Sequence, residues 1–117
     1  MKFKELLDYI FNEEEVGELF TWRDYKFSIH SPEGPIPHLH FTKGNPKNPE
    51  LQGCLFILKI GYFLHGKYKD VLPKKVYENI FLNWIRNNNN YKFVCEQWNG
   101  NNSIKRIDMN NLINPYN

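Results

Sequence analysis

"YKFSIHSPEGPIPHLHFTK", residues 25–43, decides the fold, because its apolar residues recur with a period of two on both sides of a Pro/Gly turn. In the first half Tyr25, Phe27 and Ile29 share one face, and Lys26, Ser28 and His30 share the other. In the second half Leu39 and Phe41 point one way, and His38 and His40 the other. "SPEGP", 31–35, is a loop of helix- and strand-breaking residues. The alternation predicts two strands with one apolar face turned to a core and one polar, half-wet face.

Working outward, the same period holds on the N-terminal side. "GELFTW" and "YKFSIHS" flank Arg23-Asp24, which predicts a β-hairpin with a tight turn. Before it, Phe3, Leu6, Leu7, Ile10 and Phe11 follow helical spacing, so an amphipathic helix is expected over 2–12, within an N-terminal segment 1–14. Glu13–Glu15 oppose the macrodipole at its end and stop it near Asn12. On the C-terminal side, "GNPKNPE", 44–50, reads as a loop. "LQGCLFILKIGYFLHG" is too long for one strand and lacks a helical polar face. It reads as two strands, roughly 51–58 and 60–65, bent at Lys59–Gly61.

After Asp70 the period lengthens. Val76, Ile80 and Trp84 form one row at i+4, and Tyr77, Phe81 and Ile85 an adjacent one. A long helix over 73–87 is expected to lie flat on the sheet, with Pro73 in its first turn. "NNNN", 87–90, breaks it and caps a short second helix, 91–99, using Phe93, Val94 and Trp98. The tail 103–117 is weakly patterned, which leaves open whether it docks against a strand or wanders. Its many Asn residues read as coding bias as much as structure. The expectation is one α+β domain over 1–117. It has a mostly antiparallel sheet of four or five strands in 17–65, two helices in 73–99, and the long C-terminal helix on one face.

Composition narrows the class. Hydrophobic residues make up 41% and charged residues 24%, which is globular; a net charge of +2 is too small to argue for a nucleic-acid partner by itself. Aromatics at 16% allow a core built from few, large side chains. No apolar run reaches the ~20 residues a spanning helix needs. The N-terminus has no signal-peptide pattern. Cys54 and Cys95 stand far apart in no CxxC motif, in apolar contexts, and read as buried thiols; that suits a reducing cytoplasm, with one disulfide left open as the alternative.

Two groups of residues carry chemistry. If the strands of His30 and of His38 and His40 are neighbours, the three imidazoles share one face. Cβ atoms lie about 7 Å apart along a strand and about 5 Å apart across strands, close enough to close on Zn²⁺ or Mn²⁺. His38 and His40 are also candidates for catalytic acid and base. Against this stands a plain reading of solvated histidines on a strand surface, and no downstream HxxxH or ExxH supplies a further ligand. The second group is "LHGKYKD", 64–70. There His65, Lys67 and Lys69 would suit a phosphate or carboxylate, or would simply keep a loop soluble. Lys26, Lys43 and Lys47 with Tyr25 add a basic, aromatic surface of the kind that contacts nucleic acid, although no Arg cluster accompanies it.

The order of these pieces resembles a small uncharacterised bacterial domain family marked by a Pro-His-x-His strand. The family is often encoded in toxin–antitoxin-type gene pairs or on mobile elements. The match covers roughly 25–100, with Pro37, His38 and His40 on the motif and Trp98 on a tryptophan of the last helix. The N-terminal helix, the longer 44–50 loop and "HGKYKD" depart from it. The resemblance supports the fold and the place of a site and assigns no reaction. The expectation is a small cytosolic accessory protein, of the phage- or mobile-element-encoded kind, that binds a partner or a small ligand through its histidine-bearing sheet face, with no membrane. The competing expectation is a metal-dependent or histidine-based hydrolase or nuclease centred on His38 and His40.

Overall fold

A computed structural model describes residues 14–31, 36–45, 47–65, 72–101 and 106–117. The helix expected over 2–12 lies outside them, as do Lys67 and Lys69. Five strands follow one another in space as they do in sequence: β1 (Glu14–Trp22), β2 (Tyr25–Ser31), β3 (His38–Asn45), β4 (Asn48–Phe56) and β5 (Tyr62–Leu64). Every pairing is antiparallel, so the sheet is a meander of consecutive hairpins. With the helices that follow, the domain is α+β.

The register realises the alternation. Phe27 pairs with Phe41, Phe41 with Gly53 and Leu39 with Leu55, which stacks the apolar residues on one face. That face is the core. Phe81 meets Phe27, Phe41 and Tyr25 edge-on, with ring centroids 4.5, 5.1 and 5.8 Å apart.

Three expectations about elements are corrected. The first is the 44–50 loop. β3 runs to Asn45 and β4 starts at Asn48, because the Asn45 side chain accepts from the Lys47 amide and closes the turn locally. Pro49 offers no N–H to the ladder, and the register shifts between Lys43 and Gly44, where Gly44 takes φ 87°. The second is the single long helix over 73–87. Residues 74–86 form three pieces: α1 (Lys74–Val76), a π-helical stretch (Tyr77–Leu82) and α2 (Asn83–Arg86). The i→i+5 turn is wider than an α turn, so positions four apart fall nearer one line, and both Phe81 and Ile85 are buried. The third is the short 91–99 helix. The longest helix is α3 (Asn88–Asn101), and it buries Tyr91, Val94, Cys95 and Trp98 while Phe93 is exposed. The stripe is therefore 91/94/95/98, an i, i+3, i+4, i+7 set.

The start of α3 is capped as the Asn run suggests: Asn87 Oδ1 accepts from the amides of Asn89 and Asn90. Other asparagines are structural rather than incidental. Asn99 is buried and forms a two-way bond with Ile107, its amide donating to the carbonyl and its Oδ1 accepting from the N–H. Asn114 donates to the Ile85 carbonyl at the end of α2. These bonds fasten the tail, and they carry Tyr116 to the β4–β5 connection. There its hydroxyl donates to the Phe56 carbonyl at 2.6 Å and accepts from the Gly61 amide at 3.2 Å.

Candidate metal centre

The face opposite the aromatic core carries Ser28 and His30 on β2, His38 and His40 on β3 and Cys54 on β4. The pairing of His40 with both Ser28 and Cys54 brings the three strands together. The half-wet face expected from alternation is not wet there. His38 is 2% exposed, His40 4% and Cys54 0%. Alternation says only that these side chains avoid the aromatic layer. It is silent on whether a second layer covers them, and here the sheet is buried on both faces.

His38 and His40 sit one residue apart on the same side, with ring centroids 5.1 Å apart and tilted by 47°. Each offers a nitrogen, and Cys54 offers its Sγ; the three donor atoms all lie within 4.8 Å of one another. The donors of a tetrahedral zinc site are roughly 3.3–3.6 Å apart, so about an ångström of side-chain closure brings this set onto one ion. One histidine is already oriented for it. His38 Nδ1 lies 2.5 Å from the Ile36 carbonyl, which can only accept. In the neutral ring the proton is therefore on Nδ1 and the lone pair on Nε2, the arrangement that a backbone carbonyl bonded to the other ring nitrogen imposes on metal-ligating histidines. The indole of Trp98, 5.3 Å away by centroid, packs against the same ring and carries the constraint from α3.

His30, expected as the third ligand, takes another place. Its ring stacks on His40 at 3.6 Å with an interplanar angle of 11°, and its Nε2 is 3.1 Å from Ser28 Oγ. Parallel stacked rings direct their in-plane lone pairs along separate lines, so His30 buttresses His40 while Cys54 joins the donor set. Sequence reasoning read Cys54 as a packed thiol. The signal that could have found it is strand register: Cys54 lies opposite His40 once the 46–47 turn is placed.

The other residues singled out by sequence lie apart. The amide of His65 donates to the Gln52 carbonyl and prolongs the β4–β5 ladder, and its ring is outside the donor set. Lys43 is ion-paired with Glu50 across β3 and β4, and it lies 5.6 Å over the Tyr25 ring. Cys95, in α3, is fully buried beside Tyr91, and burial pushes its thiol up to about 11, so it is no nucleophile. No described helix is long and apolar enough to cross a membrane. No family model, curated protein or solved structure matches this chain.

Proposed function

We propose that this protein is a small metal-binding accessory protein whose histidine-bearing sheet layer holds one divalent transition ion. The observation that carries the reading is the convergence of His38, His40 and Cys54, all buried, on donor separations within 4.8 Å. Burial changes what that face can bind. A macromolecular partner does not reach side chains this enclosed, but an ion does. Two imidazoles and a thiolate favour Zn²⁺ over Mn²⁺, whose preference is for carboxylate and water oxygen. A cysteine ligates as its thiolate, so binding releases a proton and couples metal affinity to pH. A bound ion would tie β3 to β4 and stiffen the sheet. The rest of the surface is then free for a protein partner, in a cytosol that keeps Cys54 and Cys95 reduced.

A hydrolase or nuclease reading is favoured by one observation, the donor count. Three protein donors are the number that catalytic zinc sites use, leaving a position where bound water is acidified. In that reading His38 and His40 are ligands, not acid and base.

Metal analysis tests the reading. Protein purified without chelator should carry about one equivalent of zinc. Its cobalt-substituted form should show a thiolate-to-metal charge-transfer band that Cys54→Ser abolishes. Cys54→Ser, His38→Ala and His40→Ala should each weaken metal affinity at least tenfold, the lower end seen even when only a hydrogen-bond partner of a ligand is lost. Circular dichroism of the same samples separates lost ligation from lost folding. A folded wild type that takes up no zinc or cobalt, or a Cys54→Ser variant with unchanged affinity and spectrum, overturns the proposal. Zinc-dependent cleavage of an activated phosphodiester by the wild type, absent in Cys54→Ser, would move the assignment to the enzyme.

A further inference from the structure

A second concavity lies on the other side of the sheet, where the β1–β2 turn meets the start of α1. Its volume is about 420 Å³, within the range of small-ligand sites, and it is lined by Trp22, Arg23, Lys75 and Asn79 together with the apolar Val76 and Ile80. Arg23 holds its guanidinium 4.6 Å over the Trp22 ring, so indole and guanidinium form one stacked, cationic platform. Lys75 lines the same pocket and is exposed. Its neighbour Lys74 pairs with Glu78 at 4.0 Å, while neither Arg23 nor Lys75 takes part in an ion pair among the described residues. The nearest acid in sequence, Asp24, acts electrostatically on Lys43. The pocket thus combines flat stacking surfaces, two cations that form no ion pair among the described residues, and one side-chain amide.

The backbone adds an independent observation. Arg23 has φ 54°, the left-handed conformation that glycine, asparagine and aspartate adopt most readily. Trp22 pairs directly with Tyr25, so the connection has only two residues, and glycine would relax it. An arginine held there against its backbone preference places a guanidinium at the pocket mouth, a strained residue of the kind that gathers at ligand sites.

We propose that this pocket binds a nucleotide unit, one planar base with one phosphate. The base stacks on the Trp22–Arg23 platform as bases stack on aromatic and guanidinium planes. The phosphate lies between Arg23 and Lys75, and the Asn79 amide faces the base edge, where it offers both a donor and an acceptor. The site is on the aromatic-core side and shares no residue with His38, His40 or Cys54, so it stands whether or not the metal reading does.

Titration of the full chain with adenosine 5′-monophosphate, adenosine, inorganic phosphate and an oligothymidylate, followed by the indole NMR signal of Trp22, tests this. Adenosine 5′-monophosphate or the oligonucleotide should shift the signal saturably, and adenosine and phosphate alone should bind at least tenfold more weakly. Preference for the oligonucleotide assigns a single strand as the source, and preference for the monophosphate a free nucleotide. Lys75→Ala should weaken binding about tenfold. Arg23→Gly should abolish it while leaving the melting temperature equal or higher, because it removes the backbone strain; a purely structural arginine predicts the reverse. No saturable shift with either nucleotide probe, or undiminished binding by Arg23→Gly, overturns the proposal.

Discussion

At Gly53 the two faces of the sheet meet in one residue. It sits opposite Phe41, and a Cβ built there would stand 2.5 Å from Phe41 Cζ and 2.5 Å from the Phe63 carbonyl oxygen. The ring of Phe41 could turn aside, but the carbonyl belongs to the neighbouring backbone and cannot. Gly53→Ala is therefore expected to lower stability by roughly 1–3 kcal/mol, the usual cost of overpacking. Urea unfolding should show a lower midpoint at unchanged slope. Because Cys54 is the next residue, the substitution should also disturb metal uptake. The same close approach explains the absence of a side chain here: β4 passes beneath the aromatic cluster and leaves its volume to Phe41. The positions of Phe27, Leu39 and Phe41 were legible from alternation alone. The requirement at Gly53 was not, since it depends on a neighbour twelve residues earlier in the chain.

Among the elements, the C-terminal segment differs most from its sequence. Its pattern is too weak to choose between docking and wandering, and in the structure Ile107 and Tyr116 are buried and asparagine amides hold it in place. Tyr116 bridges the two ends of the β4–β5 connection, between Phe56 and Gly61. Tyr116→Phe keeps the ring and removes the bridge. It should cost about 1–3 kcal/mol, the range for leaving a buried partner unsatisfied. Hydrogen exchange should become faster at Gly61, whose N–H donates to the hydroxyl, while the amides of α3 keep their protection. The helical run 74–86 teaches a related lesson. Its two apolar rows are plain in the sequence, but the choice between α and π turns is made by what the rows pack against, and local propensity does not encode that.

For the molecule as a whole, three buried acids, Tyr91 and Cys95 on α3 and Tyr116 in the tail, set a common pH limit. Burial raises the ionisation of Tyr91 and Tyr116 above the ordinary 10.0, and raises Cys95 from 9.0 to about 11. In each case the folded chain retains a proton that the unfolded chain releases. The associated stability is intact below about pH 9 and declines as pH rises past the unfolded values. Each group contributes a slope of up to about 1.4 kcal/mol per pH unit in its window. Thermal unfolding from pH 8 to 11 should show a falling midpoint that begins near pH 9, where Cys95 first titrates in the unfolded chain. Cys95→Ala, once its own packing loss is allowed for, should delay that onset toward pH 10. A midpoint flat to pH 11 would contradict it. The residues by themselves determined the antiparallel strands, the aromatic face and the grouping of His38 with His40, because side-chain alternation along an extended chain is a local property. Only tertiary structure decided that the histidine face is buried, that Cys54 completes the donor set in place of His30, and that the tail closes the β4–β5 turn. Each of those depends on which distant segment comes to lie against a strand, and the order of residues along one strand carries no record of that.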